Sequence, residues 1–463
     1  MLLCLAKGIV ICGTIILPLH GFALASDGIS SLSPWDVLTF HLPIGEPMAV
    51  AAGDFNRDGH DDLFLVTEIE RPSLVFGVLG PEFLPSVEHQ IRFYILSGRW
   101  EASEEPRLVD TLGVPGQVLL GVQKPIVADF DKDGYLDVVV LLTTSAIPEP
   151  PALVDFENLD NHLLVFWGQG DGTFVRTRVP LEVVPIPGDD SASLISIGDF
   201  DSDGQVDIAC LDPRNLRLQV FYNKGRRSFA GPYYVSLGRT DDACIPVAMN
   251  LRAAWVDETK PGDDIVVSGP CYHAEDSFSH FIRVISPCGT DCWSVSPLLL
   301  TDVQVPSFLD ALWDIAVTDV NGDKHADVLL LGLAHIAEAE TQVPGVASPA
   351  MSIYLLSGNG RGQFAPPLTI GWSEKGRFLS VDAQLDGEWS TVIVVLTGIG
   401  GRAWARVVRT THDFSQASSA TLHGRGYVVD GAVVYRGTSR ELVLLASLDL
   451  ESEVTLVNVV RGW

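Results

Sequence analysis

Acidic side chains recur in this chain at a spacing that suits a hard metal ion. The pattern Asp-x-(Asp/Asn)-x-Asp-x-x-x-Asp occurs four times, and each copy runs directly into an apolar segment. Oxygen ligands packed this densely repel one another unless a cation lies among them, and Ca²⁺, which takes about six to eight oxygens in flexible geometry, is the cation that fits. Numbered by the repeat unit that each one opens, the copies are loop 1 (54–62), loop 2 (129–137), loop 3 (199–207) and loop 5 (319–327).

Each loop offers a similar set of oxygen donors. We expect the side chains at positions 1, 3, 5 and 9, together with the backbone carbonyl at position 7, to hold the ion. Glycine at position 6 permits a sharp turn, but Lys324 takes that place in loop 5, so we expect this site to be the weakest of about four. The predicted ligands are Asp54, Asn56, Asp58, His60 and Asp62 in loop 1; Asp129, Asp131, Asp133, Tyr135 and Asp137 in loop 2; Asp199, Asp201, Asp203, Gln205 and Asp207 in loop 3; and Asp319, Asn321, Asp323, His325 and Asp327 in loop 5.

The residues after the loops distinguish them from EF-hands. An EF-hand loop needs a Glu at position 12 and a helix on each side. Position 12 here is apolar in every copy (Leu65, Val140, Cys210 and Leu330), and branched apolar runs typical of buried strands follow each loop. Acidic loops with glycine also make good solvated turns, which is the alternative for any single copy. Four copies in the same strand context favour metal binding.

The loops belong to a longer repeat. Degenerate copies start near residues 257, 382 and 435, so seven starts are spaced 53 to 75 residues apart, enough for four short strands each. Between loops, a strand and a glycine-rich turn lead to an aromatic residue (Phe174, Phe229 and Phe364), which predicts hairpins. Seven four-stranded units stacked around a ring form an all-β, seven-bladed β-propeller.

The two ends of the chain fit the closure of such a ring. The last unit ends about one strand short after residues 454–460, whereas residues 37–42 form a strand with no unit of its own. We therefore predict that the N-terminal strand completes the seventh blade.

These motifs resemble the FG-GAP/VCBS repeat family of calcium-loop propellers, which includes the head of integrin α subunits and many secreted bacterial repeat proteins. The resemblance covers nearly all of residues 34–463 and rests on the four Asp loops and the glycine-aromatic hairpins. It departs from the family pattern in two ways, because the Phe-Gly-Gly-Ala-Pro signature is poorly kept and three of the seven loops have lost ligands. The resemblance implies the propeller fold and calcium binding, and says little about a partner.

The composition limits the classes of partner. The net charge is −29 over 463 residues, and the four loops contribute three, four, four and three acidic ligands, close to half of that charge. The acidity and the absence of a Lys/Arg block argue against nucleic acid. The hydrophobic content of 47% supports a packed core and excludes a disordered chain.

Residues 1–25 have the features of a secretory signal peptide. Lys7 precedes an apolar core from Gly8 to Leu19, and Ala23-Leu24-Ala25 forms a cleavage motif. An uncleaved signal anchor is the alternative. No later stretch reaches the ~20 apolar residues of a membrane span. We predict a single propeller domain over residues 26–463 that is exported to the extracellular space or the periplasm, either free or associated with a cell surface.

Four cysteines fall within the fourth unit, whose loop is degenerate. In an exported protein this clustering predicts two disulfides with three alternative pairings, which would replace the metal in that unit. A Cys₄ zinc site is the alternative, although no C-x₂-C pair exists. The four are Cys244, Cys271, Cys288 and Cys292. Cys210 lies in an apolar strand and is predicted to be a buried free thiol.

No catalytic motif stands out. The chain has no nucleophile elbow, phosphate-binding loop, dinucleotide fingerprint or metalloprotease motif. We therefore predict a non-catalytic scaffold for protein interaction or adhesion, with the insertions Thr67–Arg92 and Thr143–Asn161 as candidate contact segments. A lectin-like propeller that binds glycans is the first alternative, although strand tryptophans such as Trp167 and Trp313 are expected in the blade core. A polysaccharide-active enzyme, such as a lyase, is the second.

Overall fold

The computed structural model describes most of the repeat region. The described residues are 36–69, 75–77, 80–82, 90–100, 105–114, 117–146, 159–180, 194–213, 215–237, 245–246, 250–272, 278–289, 292–297, 299–304, 315–333, 351–373, 377–383, 389–395, 403–412, 417–423, 427–436, 439–447 and 454–461. The predicted signal peptide, Trp313, and Asp386 and Gly437 of the degenerate loops lie outside these residues.

The regular secondary structure of the described segments consists of β-strands. In chain order they are β1 (Asp36–Leu42), β2 (Glu46–Gly53), β3 (Asp62–Ile69), β4 (Val75–Gly77), β5 (Gly80–Glu82), β6 (Gln90–Leu96), β7 (Arg107–Gly113), β8 (Gln117–Val122), β9 (Ile126–Ala128), β10 (Asp137–Ala146), β11 (Leu159–Gly168), β12 (Phe174–Val179), β13 (Ile195–Gly198), β14 (Asp207–Asp212), β15 (Arg217–Asn223), β16 (Phe229–Ser236), β17 (Ile245–Pro246), β18 (Asn250–Ala254), β19 (Asp264–Tyr272), β20 (Phe278–Gly289), β21 (Cys292–Val295), β22 (Leu299–Gln304), β23 (Ile315–Thr318), β24 (Asp327–Leu333), β25 (Met351–Leu356), β26 (Leu368–Ser373), β27 (Arg377–Ala383), β28 (Trp389–Val395), β29 (Ala403–Thr411), β30 (Ala417–His423), β31 (Tyr427–Arg436), β32 (Ser439–Ser447) and β33 (Thr455–Arg461).

The strands form seven antiparallel sheets arranged in a ring, which confirms the seven-bladed propeller. Blades 1, 3, 5 and 6 have the strand orders β2-β3-β6-β7, β13-β14-β15-β16, β23-β24-β25-β26 and β27-β28-β29-β30. Blade 2 has the order β12-β11-β10-β8, with β9 also on β10, and blade 4 has the order β17-β19-β20-β21, with β18 on β19 and β22 on β20. First strands meet around the centre: β2 contacts β31 and β9, β18 contacts β13 and β23, and β27 contacts β23 and β31. Within the insertion of blade 1, β4 pairs with β5.

The two ends of the chain close blade 7, as predicted. Its strand order is β1-β33-β32-β31, so the N-terminal strand lies at the outer edge of the last blade. Val37 pairs with Val460, and the Thr39 hydroxyl donates to Asn458 Oδ1 at 2.8 Å. The two ends of the chain are therefore joined by a strand pair within one blade.

The apolar run after each loop forms the second strand of its blade. The four side chains of Leu63–Val66 in β3 are fully buried, and so are those of 138–142 in β10 and 208–211 in β14. A blade is covered by a neighbouring blade on each face, so both alternating sets of side chains meet apolar surroundings. This explains why the runs are continuous rather than alternating. Trp167 is 1% exposed and packs in a core cluster shared by blades 2, 3 and 4, as predicted.

Strand direction alternates, so the connections sort onto two faces of the ring. First-to-second-strand loops and third-to-fourth-strand hairpins lie on one face, here called the loop face. Second-to-third-strand connections lie on the opposite face, here called the insertion face. The described ends of both predicted contact segments, Thr67–Arg92 and Thr143–Asn161, belong to second and third strands, so each segment begins and ends at the insertion face.

The cysteines follow the prediction in part. Cys288 is bonded to Cys292 with a Cα–Cα distance of 5.1 Å, Cys271 is also disulfide-bonded, and Cys244 lies outside the described residues. The bond between Cys288 and Cys292 joins β20 to β21 within a hairpin of the loop face, rather than flanking the degenerate loop of the same blade. Cys210 is a buried free thiol, as predicted, and burial raises its pKa.

Candidate metal centres

Loops 1, 2, 3 and 5 share one backbone conformation. Positions 4 and 6 have positive φ in every loop, and three loops place glycine at position 6 and a residue with a side chain at position 4. Loop 5 reverses this arrangement, with Gly322 at position 4 (φ 77°) and Lys324 at position 6 (φ 74°). Each loop thus holds one glycine and one strained residue, so the backbone supplies no reason for loop 5 to be the weakest site.

The first Asp of each loop bonds across the turn. Its Oδ2 accepts the N–H of position 6, from Gly134 to Asp129 at 3.0 Å in loop 2 and from Gly204 to Asp199 at 2.9 Å in loop 3. The other oxygen, Oδ1, is buried in both loops and has no hydrogen-bond partner among the described residues. A buried carboxylate oxygen without a partner is costly, and a bound cation would supply that partner.

The Asp at position 9 fastens the loop to the rest of its blade. In loop 2, Asp137 accepts the Phe130 N–H at 2.9 Å through Oδ2 and the Gly168 N–H at 2.7 Å through Oδ1. Asp207 and Asp327 make the same pair of bonds in loops 3 and 5. Position 9 is thus a structural anchor as well as a predicted ligand.

Burial perturbs these closing carboxyl groups. Each is fully buried, and desolvation raises the pKa of Asp62, Asp137 and Asp207 to about 7 and raises the pKa of Asp327 as well. A neighbouring cation would favour the ionised form and reverse this shift. Ionisation of these buried carboxyl groups is therefore disfavoured, and a bound cation would favour it.

The structure brings three carboxylates together in two of the loops. Within the described residues, the groups are Asp129, Asp131 and Asp137 in loop 2, and Asp199, Asp201 and Asp207 in loop 3, each with ligand atoms within 4.8 Å of one another. All-oxygen, acidic donor sets of this kind fit Ca²⁺ rather than a softer transition metal.

Loops 1 and 5 carry Asn at position 3, and no three of their acidic residues are brought together as in loops 2 and 3. In loop 1 the Asn56 Nδ2 donates to Asp62 Oδ1 at 3.2 Å, so this amide must turn over before its oxygen faces an ion. Asp62 Oδ2 is buried without a hydrogen-bond partner in the described segments.

The side chains at position 7 lie against the hairpins of the loop face. Added Cβ atoms at Gly170 and Gly360 would collide with the side chains of Tyr135 and His325 respectively, and His325 Nδ1 lies 2.6 Å from Glu258 Oε1. In loops 2 and 5 these contacts leave the backbone carbonyl as the donor expected from position 7, which the sequence predicts for all four loops.

Each loop also forms a joint between blades, which the sequence analysis did not identify. In loops 1, 2 and 3 the residue at position 2 is a buried phenylalanine that meets an aromatic residue of the next blade, whereas loop 5 has the buried Val320 there. Phe55 meets Phe174 with ring centroids 5.4 Å apart, and Phe130 meets Phe229 at 6.3 Å. The Phe55 carbonyl accepts the Gly172 N–H at 3.0 Å. The sequence did contain a signal for this contact. Each Asp loop is followed, later in the chain, by a glycine-rich hairpin that ends in an aromatic residue.

The degenerate loop of blade 4 carries its own cation. The Val256 N–H donates to Asp264 Oδ2 at 2.8 Å, as position 2 does to position 9 elsewhere, so Trp255 occupies the place of the first Asp. The Lys260 ammonium lies 3.3 Å from Asp257 Oδ2. The Lys260 side chain thus places a positive charge beside Asp257, in a loop where Trp255 has replaced the first Asp ligand.

No protein-family model and no curated protein matches this sequence. Solved structures do match the fold. BBS1N, from its complex with ARL6DN, is 11% identical with a TM-score of 0.44, over 92% of this chain and 97% of that chain. Trypanosoma rangeli sialidase is 9% identical with a TM-score of 0.40, over 90% of this chain and 55% of that chain, so the match spans about half of the sialidase. The β-fructofuranosidase of Schwanniomyces occidentalis is 9% identical with a TM-score of 0.33, over 92% and 94% of the two chains.

These matches correct one prediction. The absence of a familiar motif led to the expectation that the protein is not an enzyme, but the matched structures include sialidases and a fructofuranosidase. The prediction that the protein is not an enzyme is therefore wrong. At about 9% identity the matches assign neither an activity nor catalytic residues to this chain. In the described residues, no helix is long and apolar enough to cross a membrane.

Proposed function

We propose that this protein is an exported, calcium-binding β-propeller of the FG-GAP/VCBS type, and that it acts as a binding platform for a protein partner. The observation that carries the calcium proposal is the pair of buried, unpartnered oxygens, Asp129 Oδ1 and Asp199 Oδ1, each within a group of three carboxylates. Loops 1 and 5 are the further candidate sites, each with an Asn at position 3.

Calcium in these loops would act on the joints between blades. The ion would neutralise carboxylates at positions 1, 3 and 9, and position 9 also holds the end of the third strand. Position 2 packs against the next blade, so a fixed loop fixes that blade as well. Modest affinity would be sufficient outside the cytosol, where calcium is present at about millimolar concentration.

The loop face also supports a second candidate ligand. Trp255 is 54% exposed and Tyr435 is 50% exposed, and both lie where first strands end on this face. Exposed aromatic rings offer flat apolar surfaces with a polar edge, which suits the face of a sugar ring. A glycan is therefore the alternative ligand, and the insertion face is the candidate surface for a protein.

Calcium titration of single-loop variants tests the first part of the proposal. Isothermal titration calorimetry should show that Asp129→Asn and Asp199→Asn each remove one binding event, and that the double variant removes two. Asp171→Asn is the matched control, because Asp171 is an exposed carboxylate of a loop-face hairpin outside the loops. Unchanged stoichiometry in the double variant would refute calcium binding by loops 2 and 3.

Ligand binding is tested separately. The calcium-loaded protein is applied to a glycan array, together with Trp255→Ala and Tyr435→Ala variants. Signals that disappear in these variants favour the glycan ligand. An array without signals, from protein that melts cooperatively, favours the protein partner.

A further inference from the structure

In loops 1, 2 and 3, a basic side chain lies beside the carboxylate at position 3 or position 5. Arg99 Nε lies 3.0 Å from Asp58 Oδ2 in loop 1, and Lys224 Nζ lies 3.1 Å from Asp201 Oδ2 in loop 3. Arg99 and Lys224 each belong to the same blade as the loop they contact, and each pairs with one of its carboxylates. Loop 2 differs from this plan.

In loop 2, one arginine from the next blade spans two predicted ligands. Arg227 Nε lies 2.7 Å from Asp131 Oδ2, and Arg227 Nη2 lies 3.3 Å from Asp133 Oδ2. These carboxylates occupy positions 3 and 5. A guanidinium has a rigid fork of donors, so it can hold two oxygens at once in a way that an ammonium does not.

The blade 3 hairpin directs this arginine at blade 2. Asn223, at the end of β15, donates through Nδ2 to the Phe130 carbonyl of loop 2 at 2.6 Å. Arg227 has φ 62°, and its guanidinium carbon lies 5.5 Å from the ring centre of Trp167 in blade 2. The arginine is therefore fixed across the boundary between blades by backbone shape, packing and charge.

Both oxygens of each of these carboxylates are already engaged. Asp131 Oδ1 accepts the Asp133 N–H at 3.3 Å, and Asp133 Oδ1 accepts the Tyr135 N–H at 2.9 Å, while Arg227 holds both Oδ2 atoms. Asp133, like Asp203 in loop 3, stands outside the group of three converging carboxylates. For an ion to gain the fifth-position ligand, Asp133 must leave the guanidinium.

We propose that Arg227 is a tethered cation that competes with calcium for loop 2 and holds the joint between blades 2 and 3 when the ion is absent. The inference rests on the proposed calcium site of loop 2 and assigns its regulation. Loops 2 and 3 have Asp at positions 1, 3, 5 and 9 alike. The cation beside them differs, because Arg227 holds two carboxylates of loop 2 whereas Lys224 pairs with one carboxylate of loop 3. Loop 2 accordingly binds calcium more weakly than loop 3.

The test compares two proteins that each retain one all-Asp loop. Both carry Asp54→Asn and Asp319→Asn. The loop 2 protein adds Asp199→Asn, and the loop 3 protein adds Asp129→Asn. In the loop 2 protein, Arg227→Gln is expected to lower the calcium Kd about tenfold, the order expected for removing one positive charge beside a divalent ion in a solvent-like dielectric.

Four comparisons make this result specific. Arg227→Gln should leave the Kd of the loop 3 protein unchanged. Arg226→Gln removes a neighbouring positive charge that makes no ion pair within the described residues, so it should leave both Kd values unchanged within about twofold. Arg227→Lys keeps the charge without the fork, and should give an intermediate Kd. In ion-free buffer, Arg227→Gln should lower the Tm more than Arg226→Gln does.

The outcomes separate this inference from the proposed function. An unchanged or higher Kd for Arg227→Gln in the loop 2 protein, with calcium binding intact, overturns the competition. If neither single-loop protein binds calcium although both melt cooperatively, the proposed calcium sites fail first. If the multiple variants do not fold, the same exchange is followed in the wild type through the calcium-induced fluorescence change that Trp167→Phe removes. The same change in Arg227→Gln as in the wild type would overturn the inference.

Discussion

Under the proposed calcium binding, removal of the ion should make the stability of this protein strongly dependent on pH. The buried carboxyl groups of Asp62, Asp137 and Asp207 have pKa values raised from 3.8 to about 7 by desolvation. A group whose pKa is raised by folding is not penalised at pH values where both states are protonated. The penalty grows as the unfolded chain ionises above about pH 4, and it is complete above about pH 7.

The magnitude follows from the size of the shift. One pKa unit corresponds to about 1.4 kcal/mol, so a shift of about three units costs about 4 kcal/mol per group at alkaline pH. Domains of this kind are stable by about 5–15 kcal/mol in total, so three such groups remove a large share of that stability. Bound calcium keeps the carboxylates ionised and cancels the cost. The gain in Tm on adding calcium should therefore be small near pH 5 and large near pH 8.

Circular dichroism melts of ion-free and calcium-loaded protein at about pH 5 and about pH 8 measure this gain. Asp137→Asn sharpens the experiment, because the amide resembles the protonated carboxyl group while losing one acceptor. With calcium near pH 8, this variant should be less stable than the wild type by about 1.4–2.7 kcal/mol, the stabilisation from a site at ten to a hundred times its Kd. Without the ion it should match or exceed the wild type. An equal calcium gain at both pH values would refute the argument.

Three further predictions concern residues outside the carboxylate groups. Phe200→Ala should lower the free energy of unfolding by about 3–5 kcal/mol in a urea titration, because it empties the joint between blades 3 and 4, whereas exposed Val175→Ala should change it by less than about 0.5 kcal/mol. Cys210 should resist thiol reagents in the native protein and react after denaturation, since its thiol is fully buried and its pKa is raised; modification of the native form would contradict its place in the core. Lys260→Gln should lower the Tm equally with and without calcium, because the ammonium beside Asp257 is part of the chain; a loss seen only in calcium would contradict this assignment.

Much of the fold was predictable because its signals are local and repeated. An Asp loop followed by a buried strand marks the first half of a blade, and a glycine-rich turn followed by an aromatic marks the second. The unpaired strand at residues 37–42 and the missing strand after the last unit together predicted the pairing of β1 with β33. Each of these inferences needed only period and composition.

The limits of the sequence analysis lie where two blades meet. The contact between Phe130 and Phe229, and the reach of Arg227 into loop 2, join residues about a hundred positions apart. No spacing rule connects them, because the distance depends on how the sheets stack. Lys324 is a local case instead, because Gly322 in the same loop takes the other positive φ and could have been considered together with it.

The position of the loops gives a physical reason for calcium to act on the ring as a whole. Each blade is covered by two neighbours, and a loop that fastens its own third strand through position 9 also packs against the next blade through position 2. A rigid loop therefore restrains two sheets at once, and neighbouring joints share a blade. Loops 1, 2 and 3 are consecutive, so their ions would stiffen a continuous arc from blade 1 to blade 4. Blade 4 itself relies on a lysine and a disulfide-bonded hairpin rather than on a complete set of ligands. Calcium removal should then loosen the first half of the ring as a unit, which hydrogen exchange would show as a joint loss of protection in β3, β10 and β14, with β19 retaining its own.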